Sequence, residues 1–206
     1  MFKIQHGIFV LLGLFCTGCT TSLNLSEVPK PDEIILEVPK SLALEDEFGN
    51  TLGFATQLRP SIFVAPDHLW QTAGELYYKN HPIEVLARDF RHDILFFTVP
   101  EAVFVYNTGW SSNPPGVGQA LSWQEDLVLA EATVFSAKAD FAIGNTAVED
   151  LMQIDVATSP GNSGKPLFNV QTNRIYGMLV ATDTIKDVSY FVRSDVILTL
   201  AAEYLD

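Results

Sequence analysis

Ser159-Pro160-Gly161-Asn162-Ser163-Gly164-Lys165-Pro166-Leu167 places one hydroxyl between two glycines, with an apolar run on either side. Those residue types are what a serine nucleophile requires. Glycines at 161 and 164 let the backbone take conformations that a Cβ obstructs, so the hydroxyl can project from the loop. The same turn can aim the N–H groups of Gly161 and Ser163 at one point, where an oxyanion would develop. A plain strand-to-strand turn uses the same residues for conformational reasons alone. The remaining chemistry therefore has to come from elsewhere in the chain.

A serine hydroxyl is a weak nucleophile until a base takes its proton. Four histidines are present: His6, His68, His81 and His92. His6 belongs to an apolar leader, and the other three all precede Ser163. That order excludes an α/β-hydrolase, whose histidine follows both serine and acid. Its elbow also needs a glycine two residues after the serine, where this chain has Lys165. A subtilisin-like order needs an aspartate ahead of the histidine, and neither Asp32 nor Asp46 ends an apolar strand run. The order His, Asp, Ser remains.

His68 closes Ser61-Ile62-Phe63-Val64-Ala65-Pro66-Asp67-His68, an apolar strand ending in a short turn that holds the imidazole at the strand's mouth. His81 lies in a polar, hairpin-like stretch before Pro82 and reads as solvated. His92 adjoins Asp93, and strand neighbours point to opposite faces, which makes His92 the poorer base. Asp93 opens Asp93-Ile94-Leu95-Phe96-Phe97-Thr98-Val99, a buried-strand run. An acid at that point can accept the imidazole Nδ1–H and stabilise the cation. Asp89 is the second candidate acid. It sits in Arg88-Asp89-Phe90-Arg91, where two arginines are placed to neutralise it in solvent.

The chain resembles the trypsin-like serine peptidases, and most closely the bacterial HtrA-type peptidase domain. Met152-Gln153-Ile154-Asp155-Val156-Ala157-Thr158-Ser159-Pro160-Gly161-Asn162-Ser163-Gly164 is similar to that family's nucleophile segment almost throughout. Val64 to His68 resembles its histidine segment, and Asp93 to Phe97 its aspartate segment. Arg174 to Met178 and Phe191 to Asp195 resemble its closing strands and terminal helix, so the likeness runs over about residues 48 to 205. The resemblance implies Ser163 as nucleophile, His68 as base, Asp93 as orienting acid and Gly161 with Ser163 as oxyanion donors. It further implies that Ala157 lies toward the base of the primary specificity pocket. An extended peptide would then pair with Met178, Leu179, Val180 and Ala181.

Three departures from the family pattern stand out. Lys165 replaces the usual glycine, and its side chain either crowds the loop or turns to solvent. Pro66-Asp67 replaces small or amide residues. Asn162 replaces the aspartate of the digestive enzymes, which pairs with a freed N-terminal amine, so no activation switch of that type is expected.

Composition agrees with the fold that the resemblance implies. The chain has 206 residues, 48% of them hydrophobic, which is enough for one large core. Short apolar runs recur at 34–38, 61–64, 83–87, 94–99, 127–137, 151–156 and 174–181, bounded by turn-forming residues. The expectation is an all-β protein of two six-stranded-type antiparallel β-barrels with a C-terminal helix. That helix is predicted over 194–205 after a serine cap, and as the only substantial one.

Residues 1–18 read as an export signal: Lys3, then the apolar run 7–15, too short to span a bilayer. Gly18-Cys19 resembles a lipobox, with Cys16 where leucine is usual, so Cys19 is the expected acylation site. Residues 19–40 then form a lipid-anchored tether carrying Pro29, Pro31 and Pro39, and 41–206 the peptidase domain. Both cysteines lie in the leader, which removes disulfides, thiolate metal sites and a cysteine nucleophile from the body. The peptide-binding module that often follows an HtrA-type peptidase is not expected after the terminal helix. The formal charge of −13, from 25 acidic and 12 basic residues, disfavours nucleic acid as a partner. No metal or other cofactor is called for. The partners expected are a protein or peptide substrate and a membrane reached through the lipid. The reading is a serine endopeptidase of the cell envelope. Its alternatives are an inactive trypsin-fold lipoprotein acting as a binding module, and an esterase using the same three side chains.

Overall fold

Continuous apolar strings such as Ile94-Leu95-Phe96-Phe97 need a protein environment on both faces of a strand, because successive side chains point in opposite directions. The computed structural model, which describes residues 38–99, 108–125, 128–144 and 146–206, supplies it. The first half of the chain forms β1 (Ser41–Glu45), β2 (Thr51–Arg59), β3 (Ile62–Ala65), α1 (Asp67–Ala73), β4 (Tyr77–Tyr78), β5 (His81–Pro82), β6 (Glu84–Asp89) and β7 (Ile94–Thr98). The second half forms β8 (Gly109–Trp110), β9 (Ala120–Glu125), β10 (Val128–Ile143), β11 (Thr146–Ile154), β12 (Pro166–Asn169), β13 (Arg174–Asp183), β14 (Val188–Arg193) and α2 (Ser194–Leu205).

Two curled, seven-stranded sheets result. The first runs β5-β4-β1-β2-β3-β7-β6. The second runs β12-β9-β10-β11-β14-β13-β8, and an additional β12–β13 pairing closes six of its strands into a ring. Apart from the parallel β8–β13 contact, the pairing is antiparallel. Leu95 and Phe97 face the interior of the first sheet with Leu44, Ala55 and Phe63. Ile94 and Phe96 face the other way, into a core shared with Leu151, Met178 and Val192 of the second sheet and Ile197 and Leu200 of α2. A third cluster, including Leu121, Val134, Met152, Leu167 and Phe191, fills the second sheet. The seam between the sheets is therefore solid core, and β7 belongs to both sides of it.

Several sequence expectations shift in detail. His68 is carried on a helix, α1, and not on a short turn after a strand. Pro66 caps its start in an extended conformation and Gly74, at φ 75°, ends it in the left-handed region. The C-terminal helix spans 194–205 as expected, but Arg193 occupies the cap. Ser194 is inside the helix, and its hydroxyl is buried without a hydrogen bond among the described residues. β10 continues six residues past its expected end because bulges against β11 let it bend while still paired. The predicted signal, Cys19, all of the run at 34–38 except Val38, and most of the tether lie outside the described residues.

Candidate active site

The loop that carries Ser163 is two successive tight turns. In the first, Asn162 N–H reaches back to Ser159 C=O at 3.4 Å, with Pro160 and Gly161 between them. In the second, Lys165 N–H reaches Asn162 C=O at 3.1 Å, with Ser163 and Gly164 between. Gly161 has φ 86° and Gly164 φ 93°, the value that the third residue of a type II turn demands. At Gly164 there is a second constraint. A Cβ there would fall inside the carbonyl of Phe54, so the loop lies directly on β2.

Further bonds hold that contact. Phe54 N–H donates to Ser163 C=O at 2.7 Å, and the buried Thr56 hydroxyl donates to Gly164 C=O at 2.9 Å. On the opposite side Gly164 N–H donates to Leu179 C=O at 2.7 Å, and Leu179 N–H to Lys165 C=O at 2.9 Å. Ser163 is thus mounted between β2 of one sheet and β13 of the other. The N–H groups of Gly161 and Ser163, and the Ser163 hydroxyl, have no hydrogen-bond partner among the described residues.

Asp93 occupies the turn before β7 with φ 55°, a left-handed conformation that aspartate tolerates better than most residues. It is buried, and its Oδ2 lies 2.6 Å from His68 Nδ1. Its Oδ1 accepts the His68 backbone N–H at 2.7 Å, and its carbonyl accepts the Asp67 N–H at 3.2 Å. The first turn of α1 is therefore bound to Asp93 at three points, which sets the imidazole's rotation. Gly53 links this pair to the serine loop. A Cβ on it would meet Leu69 Cδ1 at 2.7 Å and Ser163 O at 3.0 Å. The residue after His68 and the main chain of Ser163 therefore flank the same glycine.

The other candidates separate clearly. His81 is exposed beside the hairpin turn Lys79-Asn80, both residues having positive φ. His92 is in a turn and pairs with Asp89, its Nδ1 2.9 Å from Asp89 Oδ1. Asp89 also accepts the Tyr204 hydroxyl at 3.0 Å. The arginines expected to neutralise Asp89 do other work: Arg88 binds Asp67 and Arg91 binds Glu149. Lys165 is half-buried and folds back over β2. Its ammonium stands 4.6 Å from the centre of the Phe54 ring, beside a cleft of about 260 Å³ shared with Pro39, Ser41, Gln124 and Pro166. Asn162 is buried and donates to Glu125 Oε1 at 3.2 Å, a contact local to the second sheet.

Of the expected peptide-binding strand, Met178 and Leu179 are committed elsewhere. Met178 pairs with Pro166, and both main-chain groups of Leu179 go to the serine loop. The edge of β13 turned away from β14 is unpaired among the described residues only from Val180 onward. Ala157 is half-buried and donates its N–H to Asp187 at 3.2 Å. Next to it a hydroxyl cluster ties the approach to Ser163 onto β13 and β14, with Thr158 Oγ1 2.7 Å from Thr182 Oγ1 and 3.3 Å from Ser189 Oγ. Among the described residues no three His, Cys, Asp or Glu side chains are grouped as metal ligands, and no helix is long and apolar enough to cross a membrane.

By sequence the chain matches no protein-family model and no curated protein. By structure it is similar to the protease domain of MamO from Magnetospirillum magneticum. The TM-score is 0.66 at 18% identity, over 81% of this chain and 97% of that one. A chymotrypsin from Cellulomonas bogoriensis superposes with a TM-score of 0.61 at 17% identity, over 80% of this chain and 95% of the other. The HtrA-type protease AlgW, solved with a tripeptide, gives 0.64 at 13% identity, over 83% of this chain and 62% of its own. These likenesses carry the fold: two curled β-sheets and a C-terminal helix in the chymotrypsin arrangement.

Proposed function

We propose that the chain is a serine endopeptidase that works in the cell envelope, with Ser163, His68 and Asp93 as its catalytic residues. The observation that carries the reading is the His68–Asp93 pair. A buried carboxylate contacts Nδ1 at 2.6 Å and also takes the histidine's own N–H, leaving Nε2 as the free basic nitrogen. Further support comes from the serine loop, whose hydroxyl and two N–H groups have no hydrogen-bond partner among the described residues.

Ser163 Oγ attacks the peptide carbonyl carbon while its proton passes to His68 Nε2. Asp93 holds the Nδ1–H and stabilises the imidazolium. The N–H groups of Gly161 and Ser163 receive the oxyanion. Collapse of the tetrahedral species returns the proton from Nε2 to the leaving amine, and water then releases the acyl group by the same route. The substrate lies as an added strand on the open edge of β13 from Val180, held by main-chain hydrogen bonds. The small, neutral Ala157 and the hydroxyls beside it favour an uncharged side chain before the scissile bond.

A fluorophosphonate probe applied to the purified protein tests the chemistry. Labelling that disappears in Ser163→Ala and falls at least a hundredfold in His68→Ala is expected. A folded wild type that takes no label favours the non-catalytic binding protein instead. The envelope location rests on the leader sequence, and Cys19→Ser is expected to lose metabolic fatty-acid incorporation. If the label is retained in that variant, the lipid anchor is disproved and the chemistry is untouched.

A further inference from the structure

Asp67, the residue before His68, is fully buried. A carboxylate is rarely placed there without a partner, because desolvation disfavours its charge. Its partner is Arg88 of β6, whose Nε lies 2.5 Å from Oδ1 and whose Nη2 lies 3.1 Å from Oδ2. Gln71, one turn along α1, donates to Oδ2 at 2.6 Å. The guanidinium is itself held against rings, 4.6 Å from the centre of Phe90 and 6.0 Å from that of Trp70.

The arrangement brackets the base. On one side residues 67 and 68 are bonded to Asp93, and on the other Asp67 is bonded to the strand next to β7. A buried ion pair adds something that packing does not, a fixed direction and a cancelled charge. Three charged groups bracket this region: Asp93 before β7, Asp67 on α1 and Arg88 on β6. Asp89, also on β6, is turned to His92 and Tyr204.

We propose that the Asp67–Arg88 pair is a positioning device for His68. It fixes the first turn of α1 so that Nδ1 stays on Asp93, and it keeps Asp67 from acting on the imidazole as a second unpaired carboxylate. The proposal deepens the peptidase reading and rests on it for the role of His68.

The test is the titration of the His68 ring proton Hε1 by NMR in the full chain, assigned by its absence from His68→Gln, beside the acid limb of kcat/KM. Arg88→Gln leaves an unpaired anion and is expected to move the His68 midpoint and the acid limb to higher pH. Asp67→Asn leaves an unpaired guanidinium, which stays charged throughout the range, and is expected to move both to lower pH. Each shift is expected to be about one pH unit, the scale of one nearby charge in a protein interior. The double variant D67N/R88Q should return close to wild type. In both single variants the plateau rate should fall roughly ten- to a hundredfold through kcat, with KM unchanged.

Midpoints that stay fixed in both single variants, or that move in the same direction, overturn the proposal and leave the pair as scaffold. If Arg88→Gln does not fold, Asp67→Asn and the double variant still decide between the two outcomes. A wild type without hydrolytic activity defeats the peptidase reading alone, since the NMR midpoints report the pair independently of turnover.

Discussion

Among the described residues, two histidine–aspartate pairs share a local design and differ in their surroundings. In both, the aspartate accepts the histidine's backbone N–H and contacts its Nδ1. His92 and Asp89 are three residues apart and close a surface turn, with Tyr204 of α2 on the second carboxylate oxygen. His68 and Asp93 are 25 residues apart, so their contact exists only once α1 has docked on the start of β7. The Asp93 side chain is 4% exposed and that of Asp89 is 11%. The larger difference lies beyond the ring. The serine loop, with two left-handed glycines and two N–H groups unpartnered among the described residues, shares Gly53 with the residue after His68. Beside His92 is a cleft of about 210 Å³ lined by Asp195, Val196, Thr199 and Leu200. A carboxylate on an imidazole is common structural furniture. What distinguishes a base is a nucleophile and an oxyanion site on the other nitrogen.

Replacing each histidine by alanine puts the greatest strain on that contrast. His68→Ala is expected to lower kcat by about 10⁴-fold or more, and His92→Ala by no more than about twofold, in steady-state peptide hydrolysis. Comparable losses in both would erase the distinction. The acids follow. Asp93→Asn should cost about 10⁴ in kcat with the fold intact, because the amide fixes the wrong imidazole tautomer, and Asp89→Asn only a few-fold.

A smaller effect reverses the ranking. Burial pushes the Asp89 carboxyl up, but the His92 N–H, the His92 ring and the Tyr204 hydroxyl outweigh it and hold the group below its usual 3.8. A carboxyl depressed in the folded state adds stability above its ordinary value, and that stability is lost as pH falls through the lower folded value. Melting temperature should therefore drop less steeply below about pH 4 in Asp89→Asn than in wild type, as read by differential scanning fluorimetry. The least effect is expected from Thr56→Val. Loss of its bond to Gly164 C=O should cost about 1–2 kcal/mol in denaturant unfolding and lower kcat modestly, without altering the His92 pair.

How far the sequence revealed this arrangement depended on whether a feature was local. The turn chemistry around Ser163 was legible because proline and glycine state their dihedral needs directly. The run from Asp93 to Phe97 was legible as a buried strand, although that its two faces serve two separate cores is a tertiary fact. The helix bearing His68 was punctuated by Pro66 and Gly74, but seven residues are too few for a helical period to emerge beside a strong strand. The partners of Asp67, Lys165 and Asn162 were not legible, since Arg88, Phe54 and Glu125 lie 21 or more positions away. Asp89 was misread for the same reason: adjacent arginines suggested partners, and the fold sent both elsewhere. Ser194 shows the opposite case, a good capping residue displaced by one position because β14 runs directly into α2.

The carbonyls of Ser163 and Gly164 accept bonds from β2, and the N–H of Gly164 reaches across to β13. A rigid peg driven through two boards behaves in this way: neither board can pivot without shearing it. Heat inactivation should accordingly coincide with global melting in a single step. Severing the chain between the two sheets and mixing the halves should restore turnover only to the extent that they reassemble.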